Sequence, residues 1–143
     1  MVTVKNQTEN SINLKKITDL CNFVAIQRGV KKKVNLYLVD NESIKELNYK
    51  FFNKDKPTNV ISFPEEGDKK TLGEIVISVD YCNSETKETG LTQEELIIFY
   101  FIHGLLHLLG YEHIYGGKEE KRMRQEELKL FKKCFPEIEL EDE

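Results

Sequence analysis

All three histidines of the 143-residue chain fall in one string, HGLLHLLGYEH, residues 103–113. His103 and His107 are four residues apart. On a helix they stand on one face, about 6 Å apart along the axis. Two imidazole nitrogens so placed reach a single ion at about 2.0–2.1 Å. Gly110 can break the helix and turn the chain back, so His113 can close a third corner. Nothing in the sequence supplies a fourth protein ligand. Three neutral imidazoles leave a cation its full charge and one open position, the layout of a catalytic zinc site. The bland reading is three structural histidines. One histidine on an apolar helix is most often a satisfied core residue. Two at this spacing both need partners, because an unpaired buried imidazole is costly. One zinc ion per chain, on His103, His107 and His113, is therefore expected.

The spacing matches the metzincin protease pattern H-E-x-x-H-x-x-G-x-x-H at every position but one. In those proteases that position is the general base, and here it is Gly104. Peptide hydrolysis by that route is disfavoured. Glu112, beside His113, is the candidate catalytic carboxylate. Its alternatives are to orient His113 or to be a solvated turn residue.

The elements that must hold these residues follow from periodicity. Thr92 to Glu95 fit a capping box, and the helix it opens runs to Leu109, where Gly110 stops it. Its apolar residues occupy nearly every face, so it is expected to be buried. Val2 to Val4 suit an edge strand. Leu14, Ile17, Leu20, Cys21 and Val24 predict a helix over Ser11 to Gln27, ended at Gly29. Val34, Leu36 and Leu38 alternate as in a strand, and Asp40-Asn41 cap a helix over Ser43 to Phe51. Thr58 to Phe63 and Gly73 to Val79 predict an antiparallel hairpin across the turn residues 64–68. A short helix starts at Asp80 and ends before Gly90. A last helix, Lys118 to Phe135, carries a Met123, Leu128, Phe131 stripe. The order βαβαββααα predicts an α+β fold, a small mixed sheet covered by helices.

Apolar residues make up 39 % of the chain and charged residues 32 %, which excludes a disordered chain, a collagen and a coiled coil. The length and the lack of a linker or repeat predict a single domain over residues 1–136, followed by an acidic tail over 137–143. Five of the 25 acids lie in that tail. Without them 21 basic residues face 20 acidic ones, so bulk charge makes the body neither a strong nucleic-acid binder nor an acidic protein. Cys21, Cys82 and Cys134 form no disulfide framework and no C-x-x-C pair, as in a reducing compartment. The N-terminus has no signal-peptide core, and the apolar run Leu96 to Leu109 is too short to span a bilayer. A soluble, cytoplasmic protein without membrane contact is expected.

The string HGLLHLLGYEH resembles the H-G-x-L-H-L-x-G-Y-D-H signature of the YbeY family, bacterial endoribonucleases of ribosomal RNA maturation. Residues 54–64, KDKPTNVISFP, are similar to its K-D-x-P-T-D-V-L-S-F-P, and residues 72–78, LGEIVIS, to its L-G-D-I-x-I-S. With Leu47-Asn48 and the last helix, the likeness runs from about residue 34 to 133. It implies a four-stranded mixed sheet and a buried central helix carrying two zinc-binding histidines. It implies His103, His107 and His113 as the zinc ligands. It also implies a single-strand-specific endoribonuclease of 16S rRNA 3′-end maturation, ribosome biogenesis and ribosome quality control. The implied partners are single-stranded ribosomal RNA and the ribosome or its proteins, and no DNA is expected. Phe52 stands where the family has an arginine assigned to RNA contact or cleavage. Glu112, Glu74 and Asn59 replace aspartates. Candidate RNA contacts are Lys54, Lys56 and Ser62, whose bland readings are a solvated loop and a packed strand end.

Three functions compete. The first is a zinc-dependent RNA hydrolase. The second is a non-catalytic zinc-binding ribosome-assembly factor, a reading that Phe52 feeds. The third is another zinc hydrolase such as a protease, which Gly104 disfavours.

Overall fold

Alternating apolar residues build four strands: β1 (Val2–Asn6), β2 (Lys33–Val39), β3 (Val60–Pro64) and β4 (Thr71–Ser78). In the computed structural model, which describes residues 1–111 and 117–140, they form one sheet in the order β1-β2-β4-β3. β1, β2 and β4 run parallel, and β3 pairs antiparallel with β4 as the expected hairpin. The helices are α1 (Leu14–Gln27), α2 (Asn41–Phe52), α3 (Val79–Thr89), α4 (Gln93–Leu108) and α5 (Lys118–Cys134). The element order is the one the periodicity predicts, and the fold is a mixed α+β one with an open four-stranded sheet.

Period-two alternation sorts the strand residues between two faces. Val34, Leu36, Leu38, Ile75 and Ile77 are buried in the main core with residues of α1, α4 and α5. On the other face Val39, Ile61 and Val76 pack with Ile44 of α2. Local chemistry sets the helix starts. Asp40 accepts from Ser43 N at α2, and Ser78 accepts from Tyr81 N at α3. Thr92 and Glu95 close both bonds of the capping box at α4.

One helix start and one buried stripe differ from expectation for physical reasons. α1 begins at Leu14 rather than Ser11, because side chains take over the preceding backbone. Asn6 Oδ1 accepts from Thr8 N, Thr8 Oγ1 accepts from Asn10 N, and Asn13 rather than an earlier residue caps the helix. On α5 the buried stripe is Met123, Glu127, Leu130 and Phe131, and Leu128 lies only half-buried. Beyond α5, Ile138 and Leu140 pack against the main core, so the tail is held at least that far. Among the described residues, no helix is long and apolar enough to cross a membrane.

The three cysteines are free. Burial pushes the Cys21 thiol well above its ordinary value, that of Cys82 to about 12 and that of Cys134 to about 11. Only the thiolate is nucleophilic, so all three should be sluggish in the native protein. Ellman's reagent at pH 7.5 is expected to find almost no reactive thiol before unfolding and all three in guanidinium. A native thiol that reacted within seconds would contradict this packing.

Candidate active site

The candidate histidines His103 and His107 ride on α4, whose apolar surface buries it against β3, β4, α1, α3 and α5. One residue sets how closely it approaches the sheet. A Cβ on Gly104 would lie 2.9 Å from Ile75 Cγ2, closer than real Cβ contacts come, and 3.0 Å from Ser62 Oγ, tighter than nearly all of them. The Ser62 hydroxyl donates to Gly104 O at 3.1 Å across the same seam. Gly104 is thus a packing position, turned into the sheet.

His103 and His107 lie on the face of α4 next to that seam, with their Nε2 atoms 3.1 Å apart. Each Nδ1 has its own partner. His107 Nδ1 donates to Tyr111 O at 3.0 Å, and His103 Nδ1 meets the Glu127 carboxylate. A carbonyl oxygen only accepts, so Nδ1 of His107 carries the hydrogen and Nε2 is the basic nitrogen. The Glu127 carboxylate assigns the same tautomer to His103. Two basic nitrogens this close favour a cation between them. Ligands at about 2.05 Å in tetrahedral geometry stand about 3.3 Å apart, so the observed spacing suits one borderline-soft metal ion.

Local sequence explains both partners. Gly110 ends α4 with φ +100°, a region that favours glycine. Tyr111 N then donates to Leu106 O, and the reversed chain brings Tyr111 O back to His107. The Tyr111 ring packs under two guanidinium groups, 5.5 Å from Arg28 and 4.7 Å from Arg122, and Arg28 is also paired to Glu126 at 2.9 Å. Glu127 comes from the buried stripe of α5. It is 4 % exposed, a burial that costs a carboxylate dearly unless a partner is present.

The imidazoles open into a cleft of about 730 Å³ along edge strand β3. Asn48 and Phe52 of α2, Lys54, and Ser62 line it with His103 and His107. Lys54 and Ser62, two of the candidate RNA contacts, line the cleft. Lys56 does not; its side chain is exposed, and its carbonyl accepts from the buried Asn48 Nδ2 at 2.9 Å. Arg28 is committed to Glu126 and Tyr111, and the run Lys31-Lys32-Lys33 is a solvated face. Glu112 and His113 lie outside the described residues. Among the described residues, no group of three or more His, Cys, Asp or Glu side chains could hold a metal.

The sequence model of the family described as Endoribonuclease YbeY matches residues 2–134. The chain belongs to the YbeY family. It is 40 % identical over 134 residues to the endoribonuclease YbeY of Nautilia profundicola, covering 93 % of this chain and 91 % of that protein. It is 37 % identical over 135 residues to that of Aliarcobacter butzleri, covering 92 % and 93 %. The solution structure of TM1509 from Thermotoga maritima superposes with a TM-score of 0.71 at 28 % identity, over 96 % of this chain and 91 % of that one.

Sequence reasoning missed Glu127, Asn48 and the Tyr111 carbonyl in this YbeY-family site. Glu127 left one signal, a carboxylate four residues after Met123 on an otherwise apolar stripe. The seam at Gly104 also disposes of the metzincin comparison, because a side chain there would enter the sheet rather than the cleft. Gly104→Glu, which completes that pattern, is expected to give no casein hydrolysis and to cost about 3 kcal/mol or more by overpacking and by burying a carboxylate. Thermal melting checks this. A Gly104→Glu protein melting like the wild type would disprove the seam.

Proposed function

We propose that this chain is a zinc-dependent endoribonuclease that hydrolyses single-stranded RNA in the cleft beside His103 and His107. The observation that carries the reading is the pair of Nε2 atoms 3.1 Å apart, each imidazole oriented through Nδ1, in a chain of the YbeY endoribonuclease family. His103, His107 and His113 would hold one zinc ion. When bound, zinc supplies Lewis acidity that polarises a phosphoryl oxygen and makes a water more acidic, to a pKa of about 7. Glu127 and the Tyr111 carbonyl hold the two imidazoles in the ligating tautomer. Lys54 faces the same cleft and offsets phosphate charge. Ser62 spends its hydroxyl hydrogen on Gly104 O, so its part is to seat α4. Glu112 is the remaining candidate for proton transfer. The substrate we infer is ribosomal RNA, at the 3′ end of 16S rRNA, with the ribosome or its proteins as partners, in biogenesis and quality control in the cytoplasm.

One observation favours a second reading. Phe52 lines the cleft where the family pattern has an arginine, which leaves Lys54 as the lining cation among the described residues. A non-catalytic ribosome-assembly factor with a structural zinc ion tolerates that loss more easily than a nuclease does.

Cleavage of single-stranded RNA by the wild type beside His107→Ala, both checked for folding, separates the two. The nuclease reading expects cleavage by the wild type alone, stopped by chelation and restored by zinc. It also expects Glu127→Gln to remain folded and to hold zinc about 10–100-fold more weakly in a competition titration. Intact RNA with both proteins, while the wild type still binds ribosomal subunits, supports the assembly factor instead.

A further inference from the structure

α2 ends in two exposed phenylalanines whose surroundings differ. Phe51 is 53 % exposed, but its ring is occupied. It meets Phe63 edge-on at 5.0 Å between centroids, and the Lys50 ammonium lies 5.4 Å from its centre. Phe52 is 51 % exposed and lines the histidine cleft. Among the described residues no ring or cation stacks on it.

Its position is fixed by the backbone rather than by packing. Asn53 caps α2 in the left-handed region, φ 56°, and donates its N–H to Tyr49 O at 2.9 Å. Lys54 N donates to Asn48 O, and the Asn48 side chain pins the loop through Lys56 O. Phe52 and Lys54 thus line the same cleft two residues apart, an exposed ring and a cation. Among the described residues no carboxylate pairs with Lys54; Asp55 faces Lys45 at 3.9 Å. The end of a helix that ring sits on carries partial negative charge, which disfavours a phosphate there and suits a neutral group. An aromatic face beside a backbone-tracking cation is the usual way of holding single-stranded nucleic acid.

We propose that Phe52 is a stacking platform for one unpaired base of the RNA, adjacent to a phosphate that Lys54 contacts. The proposal rests on the ribonuclease reading. It assigns this site a preference for strands with a free base at that position, since a paired base offers no face to the ring.

The chain contains no tryptophan, so Phe52→Trp introduces a single indole that can be excited apart from the six tyrosines. The probe is a phosphorothioate oligouridylate, chosen to resist hydrolysis. Phe52→Trp is expected to bind it as tightly as the wild type, with quenching as the base stacks. Phe52→Ala and Phe52→Leu are expected to bind about 5- to 100-fold more weakly. Both should keep the wild-type salt dependence, whereas Lys54→Ala should lower the slope of log K against log salt by about 0.7. Wild-type affinity in Phe52→Leu would reduce the ring to an apolar contact and overturn the proposal. Wild-type RNA affinity in Phe52→Ala with weakened binding to ribosomal subunits would assign the ring to a protein contact and also overturn it. In both cases the ribonuclease reading survives if the wild type cleaves RNA. A wild type that neither binds nor cleaves RNA removes both.

Discussion

The contact between Gly104 and the sheet governs the site. α4 is apolar on nearly every face and must be buried, but burial alone leaves its rotation about its axis undetermined. The missing side chain at Gly104 lets the helix backbone settle onto Ile75 and Ser62, and the Ser62 hydroxyl donates to the helix carbonyl there. Successive helical residues are turned by about 100°, so fixing residue 104 toward the sheet turns residues 103 and 107 about 60–100° away from it, on the same side. That side is where the cleft opens along β3. The direction of both imidazoles is thus a consequence of one close approach on the neighbouring face of the helix.

Rotation places the rings, and their outer nitrogens then need fixed partners. Glu127 meets this need from α5 and Tyr111 from the chain reversal after Gly110. Each partner is held by unrelated forces. Glu127 is carried by the apolar stripe Met123, Leu130 and Phe131, and the carboxylate is tolerated in that stripe because an imidazole meets it. Tyr111 is held by its own N–H to Leu106 O and by two guanidinium groups around its ring. Neither partner can drift without breaking packing elsewhere. The orientation of both imidazoles is therefore rigid, as the proposed metal site would require.

Much of this was legible from residue patterns. Alternation in β2 and β4, the capping box at Thr92 and the glycine after α4 each have a local cause, so the sequence displays them directly. The spacing of His103 and His107 is local for the same reason. What escaped was set by contacts distant in sequence. Glu127 and His103 are 24 residues apart, and no local pattern links a carboxylate on α5 to a ring on α4. Asn48 looks like an ordinary helix residue until the loop it pins is in place. The late start of α1 is a case of competing local bonds, in which three asparagines and a threonine are each able to cap or turn the chain. Leu128 and Leu130 differ by two residues on a helix, about 200° of rotation, and only the register fixed by Glu127 and Phe131 decides which is buried.

The charge distribution constrains how such a cleft can hold RNA at all. With 21 basic and 20 acidic residues over positions 1–136, net charge supplies almost no general attraction for a polyanion. Affinity must then come from few, well-placed contacts. Among the described residues, Lys54 is the cation lining the cleft, and Phe52 offers area without charge. A site of this kind gains little from long-range attraction and much from local fit, so discrimination falls on whether a base is free to enter rather than on how much phosphate is nearby. A duplex presents the same phosphates with its bases already stacked, so the exposed ring of Phe52 would serve only an unpaired base.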